Sequence, residues 1–228
     1  MSALNMYPTE RFITEVVSTF LCFTLVWFMT RPYKLTREGR YLGLPLGFGF
    51  LGASFALAAL SYSPLVVGLS LKLMWLTLLI RTFAFVFIAT TYFFSNKKSK
   101  NSLLLGEITI SLLFIALATL LTLTFVTAQF TYNSYNQSNV YFRVFNVICL
   151  SYVAIFTLRS HVRNSDPATI WIPFGFIFLA ISQYTLIFWY IDSSFSAFIG
   201  ALVTRFVGLA IFLFVAVRTF YGSNKKDG

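Results

Sequence analysis

A ten-residue stretch, PLGFGFLGAS at Pro45–Ser54, recurs 128 residues later as PFGFIFLAIS at Pro173–Ser182, with six positions identical. The match extends beyond the stretch at the same offset, since Tyr62 aligns with Tyr190. Two apolar segments share some letters through composition alone, but shared proline and glycine positions are harder to explain in that way. The repeat therefore predicts an internal duplication, which is a known route to membrane helix bundles.

The composition indicates which kind of structure is duplicated. The chain has 228 residues, of which 58% are hydrophobic and 11% are charged, whereas soluble domains are about 45–50% apolar and about 25% charged. Apolar runs of about 18 residues or more predict membrane-spanning helices, and the chain contains seven. We therefore expect an all-α integral membrane protein, a seven-transmembrane-helix bundle. Its predicted spans are Phe12–Thr30, Leu42–Leu60, Leu65–Phe94, Leu103–Phe130, Val140–Leu158, Ile170–Tyr190 and Phe195–Phe220.

Basic residues are concentrated in alternate connections between these spans. RPYKLTREGR at 31–40, SNKKSK at 95–100, RSHVR at 159–163 and the terminal YGSNKKDG hold most of the lysines and arginines. Because basic loops stay on the cytoplasmic side, we predict the N-terminus outside and the C-terminus cytoplasmic, in a multi-pass protein of the plasma membrane. The same placement accounts for the net charge of +10, so we expect no nucleic-acid partner.

Each duplicated unit contains three spans. Three spans would reverse the direction of the second copy, so the fourth span is needed as a linker that restores it. We therefore predict a 3+1+3 parallel pseudo-repeat within a single membrane domain of residues 1–228, with a pseudo-two-fold axis along the membrane normal. Its parts are repeat 1 at about 12–94, the linker helix at about 103–130 and repeat 2 at about 140–220.

Residue types that carry catalysis or bind metals are scarce in this sequence. The chain has one histidine, His161, in a basic loop, and two cysteines, Cys22 and Cys149, inside predicted spans. Metal sites and nucleophilic triads need clusters of such residues, and the sequence has no glycine-rich phosphate loop. We therefore predict no catalytic residue, no metal and no cofactor, and expect at most an accessory subunit of a membrane enzyme.

A few charged and amide side chains lie within the predicted spans. Arg81 of span three aligns with Arg205 of span seven at an offset of 124, and both are predicted at similar depth below the outer surface. A charged side chain at such a depth costs about 2.5–3.5 kcal/mol on insertion scales, so both need partners. We predict an outward-facing pocket around these arginines for a small anionic or carbonyl-bearing ligand, which guanidinium groups bind in bidentate fashion. Its other predicted lining residues are Gln183, Asn146 and Tyr184.

Glu15 and Arg143 occupy matching positions of spans one and five, at the offset of 128. We predict that they form an ion pair across the pseudo-axis. An alternative without a ligand stays open for the two pocket arginines, in which each binds backbone carbonyls, a lipid headgroup or Glu15.

These features favour a non-catalytic protein that binds a partner, as a receptor-like subunit of a membrane complex. The expected partners are membrane lipid, other membrane protein subunits or a second copy of the chain, and a small anionic ligand. The alternative is a small-solute carrier, in which the two three-helix repeats rock around Arg81 and Arg205 to give alternating access.

Overall fold

Seven α-helices make up nearly all of the residues that the computed structural model describes, which are 8–36, 43–63, 69–95, 100–126, 131–164, 170–192 and 194–223. In chain order the helices are α1 Pro8–Thr36, α2 Gly43–Ser61, α3 Ser70–Ser95, α4 Lys100–Val126, α5 Tyr132–Asn164, α6 Trp171–Asp192 and α7 Phe195–Ser223. The all-helical fold predicted from the sequence is confirmed.

Six of these helices are long and apolar enough to cross a membrane by length and composition, which agrees with a multi-pass membrane protein. The exception within the described residues is α4, whose apolar stretch is shorter, at Ile108–Thr124. Two charged residues, Lys100 and Glu107, occupy its first turns and limit the apolar part. The predicted fourth span also included residues 127–130, which lie outside the described residues.

The start of α5 lies earlier than the predicted fifth span. Thr131 caps this helix, because its Oγ1 accepts a hydrogen bond from the backbone N–H of Ser134 at 3.3 Å, as an N-cap residue does. The first turns of α5 are polar, so an apolar pattern could not reveal them. The extension matters for the site described below, because it carries Tyr135 and Asn139.

The helices pack as two sets of three. In the first set α2 contacts both α1 and α3, and in the second α6 contacts both α5 and α7. Contacts between α1 and α7 and between α3 and α5 join the two sets, while α4 packs against α3. Pro45 and Pro173 are the third residues of α2 and α6, where a missing backbone N–H costs no helical hydrogen bond.

Two glycines from the repeated stretch allow close contact between neighbouring helices. A methyl group at Gly47 of α2 would overlap the side chain of Ile88 on α3, and one at Gly175 of α6 would overlap the ring of Phe212 on α7. Small residues permit such approach of helices in lipid. Both central helices therefore depend on a glycine for their contact with the helix that follows.

The main apolar core fills the end of the bundle where α1, α3, α5 and α7 finish. Phe48, Phe176 and Phe212 meet there, with ring centroids 5.2 Å apart for Phe48–Phe212 and 4.7 Å apart for Phe176–Phe212. Phe48, Leu51 and Phe176 are completely buried. The opposite end of the bundle, where these four helices begin, carries the buried charged side chains.

Candidate functional site

A cavity of about 30 Å³ lies between α1, α2, α3, α5, α6 and α7 at the polar end of the bundle. This space holds about two water molecules, at roughly 10–15 Å³ of accessible volume each. Its charged lining residues are Arg11, Glu15, Arg81, Arg143 and Arg205, all between 3% and 8% exposed. Four arginines and one carboxylate thus share a small buried space.

Glu15 pairs with the two arginines that the sequence predicted for the pocket. Its Oε1 lies 3.0 Å from Nη1 of Arg205, and its Oε2 lies 3.7 Å from Nη2 of Arg81. The predicted ion pair between Glu15 and Arg143 is therefore wrong. The reason is the order of the helices, because α1 packs against α7 and this contact turns Glu15 towards Arg205.

Neutral groups surround Arg143 instead. Its Nε donates to Oδ1 of Asn139, and its Nη1 donates to Oε1 of Gln183 at 3.2 Å. Its guanidinium carbon also lies 5.2 Å from the ring centre of Tyr190. Asn139 in turn donates to the hydroxyl of Tyr135 at 3.0 Å. These contacts hold the guanidinium in place but bring no negative charge to it.

Arg81 and Arg205 share one aromatic ring as well as one carboxylate. Their guanidinium carbons lie 4.7 Å and 5.0 Å from the ring centre of Phe55, within the range of a cation–π contact. Nε of Arg81 also donates to the hydroxyl of Ser54 at 3.3 Å. Among the described residues, Nη2 of Arg81 and Nε of Arg205 have no hydrogen-bond partner. Both arginines line the cavity, although these two donor atoms have almost no exposed surface themselves.

Arg11 was not among the predicted pocket residues. It lies four positions before Glu15 on α1, so both side chains share one helix face. Its guanidinium carbon is 4.3 Å from the ring centre of Trp189 and 5.0 Å from that of Tyr62. The spacing of Arg11 and Glu15 is the signal in the sequence that could have identified it.

The structure separates the three other predicted lining residues. Gln183 and Asn146 are buried, but neither belongs to the cavity wall, and Gln183 supports the cavity through Arg143. Tyr184 is on the outer surface of α6, where its side chain is 53% exposed and its ring packs edge-on against Phe188. The prediction for Tyr184 is wrong, since this position faces away from the neighbouring helices.

The described residues offer no cluster of three His, Cys, Asp or Glu side chains that could hold a metal ion. What the cavity offers chemically is hydrogen-bond donation and positive charge. Comparison of the chain with family models, with curated proteins and with solved structures gives no match.

Proposed function

We propose that this chain is a non-catalytic, receptor-like subunit of a membrane complex, and that its arginine-lined cavity binds a small anionic ligand. The observation that carries the proposal is the charge of the cavity wall, where Arg11, Arg81, Arg143 and Arg205 are accompanied by Glu15 as the one acid among the described lining residues.

The cost of burying charge supports a ligand with negative charge. A buried ion needs a partner of opposite charge or several hydrogen bonds, because the desolvation penalty amounts to several kcal/mol for each ion. Glu15 lies closest to Arg205 and is farther from Arg81. An anion beside the unused donors of these two arginines supplies the missing negative charge and makes charge-assisted hydrogen bonds, which are the stronger kind.

The contrast between the two ends of the bundle favours binding over passage. The cavity occupies the end where α1, α3, α5 and α7 begin, while the main core at the other end is built of apolar side chains such as Leu51 and Phe176. A solute that entered the cavity would meet this core. The cavity is therefore suited to recognise a ligand and to hold it.

We propose for the bundle the 3+1+3 arrangement, with α4 as a spanning linker, all within a single domain. The helix contacts support it. A pseudo-two-fold axis that relates the two sets of three helices maps the α1–α7 contact onto the α5–α3 contact, and both contacts are present. The cavity supports it as well, since many lining residues form pairs at the sequence offsets of 128 or 124. These pairs are Glu15 and Arg143, Ala58 and Leu186, Tyr62 and Tyr190, Met74 and Phe198, Leu78 and Leu202, and Arg81 and Arg205.

We propose further that the cavity faces outward, with the N-terminus outside the plasma membrane and the C-terminus in the cytoplasm. The support is the position of the basic connections. Residues 31–40, 95–100 and 159–163 are basic in the sequence, and these stretches include or directly follow the last residues of α1, α3 and α5, whose ends are opposite the cavity. Basic connections stay cytoplasmic, so the cavity end lies outside.

Thermal unfolding of the purified protein in detergent tests the binding proposal. The probes are the sodium salts of chloride, nitrate, formate, acetate, butyrate and sulfate, each added at constant ionic strength against gluconate. We expect at least one anion to raise the unfolding midpoint by about 5 °C or more near saturation. Arg205→Gln is expected to abolish this shift.

Arg218→Gln is the matched control, because Arg218 is an exposed arginine on the same helix. We expect it to keep the full anion response. Absence of a response to every anion in the panel, or an equal response in Arg205→Gln, contradicts the binding proposal.

A carrier is the second candidate. The observation in its favour is that the cavity lies between the two sets of three helices, where a rocking motion would change its access. Flux of radiolabelled chloride into vesicles that contain the protein separates the candidates. The receptor-like function predicts binding without flux, and a saturable flux that Arg205→Gln abolishes would establish the carrier instead.

The subunit part of the proposal needs a separate test. Purification in a mild detergent, followed by mass determination, is expected to give a complex with other membrane proteins or with a second copy. A chain that remains single in mild detergent and in lipid nanodiscs contradicts the subunit role and leaves the ligand-binding role in place.

A further inference from the structure

We infer that the ligand is a compact monovalent anion of the chloride, nitrate and formate class, which binds beside Arg81 and Arg205 and competes electrostatically with Glu15. The inference rests on the proposed anion-binding function and deepens it. It follows from the size of the cavity, from the nature of its other wall residues and from the position of the Glu15 carboxylate.

The volume of the cavity sets an upper limit on the part of a ligand that enters it. About 30 Å³ is space for about two water molecules. A halide ion, nitrate or formate occupies a comparable space, so the whole charged group fits inside the cavity. Sulfate, phosphate and longer carboxylates need side chains or helices to move apart before they fit.

The remaining wall also favours a small anion with few oxygen atoms. Beside the charged residues, the cavity is lined by apolar side chains such as Leu78, Leu186, Phe198 and Leu202, and by hydroxyl-bearing side chains, which are Ser61, Tyr62, Thr77, Tyr135 and Tyr190. Oxygen atoms that face the apolar side chains have no donor there, and a buried polar atom without a hydrogen bond is costly. A larger oxyanion would leave some of its oxygens in this position, whereas a compact anion directs its whole charge at the arginines.

The unused donors locate the anion. Nη2 of Arg81 and Nε of Arg205 have no hydrogen-bond partner among the described residues, and both side chains are at least nine-tenths buried. Phe55 lies against both guanidinium groups and restrains their movement. An anion that accepts from these two atoms shares Nη2 of Arg81 with Glu15, and it requires a small shift of both guanidinium groups because the two donor atoms have almost no exposed surface.

Glu15 acts as a built-in competitor in this arrangement. Its carboxylate lies 3.0 Å from Nη1 of Arg205 and 3.7 Å from Nη2 of Arg81, so a bound anion is close to a like charge. Two like charges at such separations repel strongly when they are shielded from water. Glu15→Gln keeps the shape of the side chain and removes its charge, so this change should strengthen anion binding.

Anion titrations of the wild type, Glu15→Gln, Arg205→Gln and Arg218→Gln test the inference. Dissociation constants come from the unfolding midpoints for chloride, nitrate, formate, butyrate and sulfate at constant ionic strength. We expect chloride, nitrate and formate to bind the wild type at least about tenfold more tightly than butyrate or sulfate. Glu15→Gln should bind the compact anions at least about tenfold more tightly than the wild type, and Arg205→Gln at least about tenfold more weakly.

The opposite signs expected for Glu15→Gln and Arg205→Gln distinguish competition from a purely structural role, in which both changes would weaken the protein and its anion response. Preferential binding of butyrate or sulfate, or weaker binding by Glu15→Gln, overturns the compact-anion inference while the proposed function stands. If no anion binds the wild type, or if Arg205→Gln binds as well as Arg218→Gln, both the inference and the proposed function are wrong.

Discussion

At the scale of single residues, Glu15 is a buried carboxylate that pairs with two buried arginines. It is the carboxylate partner of Arg205 and of Arg81, and it is 8% exposed. Removing one partner of a buried ion pair leaves the other charge uncompensated, which costs about 3–5 kcal/mol. Glu15 therefore stabilises the empty cavity, and in the proposed function it opposes occupation of the cavity by an anion.

This double role predicts a stability that depends on the anion present. In gluconate buffer, Glu15→Gln should unfold with an apparent free energy about 3–5 kcal/mol lower than that of the wild type. Addition of nitrate should recover a larger part of this loss than nitrate adds to the wild type, because the ligand replaces the missing charge. Differential scanning fluorimetry at several nitrate concentrations measures both effects. Equal nitrate responses in the two proteins would contradict the role assigned to Glu15.

The sequence predicted Arg81 and Arg205 for the pocket because matched charges inside two apolar segments need partners. It left open whether Glu15 pairs with Arg143 or with these two arginines, since Glu15 and Arg143 occupy equivalent positions and equivalence does not require contact. The prediction that Tyr184 lines the pocket is wrong for a related reason, because an apolar segment has no polar face to show which of its sides is exposed. Only the packing of α1 against α7 and of α6 between its neighbours decides these cases.

At the scale of the helices, the contact between α2 and α3 depends on Gly47. A methyl group there would overlap the Ile88 side chain and approach the backbone oxygen of Ala84 at 3.2 Å. Gly49, two positions away on the same helix, has Val26 as its nearest neighbour at 3.8 Å, which is ordinary contact. Of the three glycines in the stretch Pro45–Ser54, Gly47 is thus required by packing and Gly49 is not.

We expect Gly47→Ala to lower the unfolding free energy by about 1–3 kcal/mol, as overpacked substitutions do. Gly49→Ala should leave it unchanged or raise it by up to about 1 kcal/mol, because alanine is the better helix former. Thermal unfolding in detergent compares the two variants. A smaller loss of unfolding free energy for Gly47→Ala than for Gly49→Ala would show that α2 and α3 do not pack as closely as described.

Helix number and most helix positions were predictable, since the apolar runs needed for spanning a membrane are long. The polar beginning of α5 was not, because its residues follow a capping threonine rather than an apolar pattern. This part of α5 carries Tyr135 and Asn139, which support Arg143. The missed turns are thus the ones that help to build the cavity.

At the scale of the whole molecule, the proposed orientation makes the two ends of the bundle accessible from opposite sides. Ser160 is an exposed residue near the end of α5, and Ser196 is an exposed residue near the start of α7. The native thiols are less accessible, since Cys22 is buried and Cys149 is partly buried. New cysteines at the two serine positions therefore report on the topology.

A membrane-impermeant maleimide should label Ser196→Cys in intact cells and should label Ser160→Cys only after the cells are opened. The unchanged chain, with Cys22 and Cys149, is the control for background labelling. Gel shifts of the labelled protein measure the result. Labelling of Ser160→Cys in intact cells would contradict the proposed orientation and would show that the cavity is on the cytoplasmic side.

The proposed binding of an anion between Arg81 and Arg205 is tested most directly by diffraction from crystals soaked in bromide, with data collected at the bromine absorption edge. We expect an anomalous peak in the cavity, within hydrogen-bonding distance of Nη2 of Arg81 and Nε of Arg205, and we expect it to disappear in Arg205→Gln crystals. A wild-type cavity that shows only water density at saturating bromide would contradict the account.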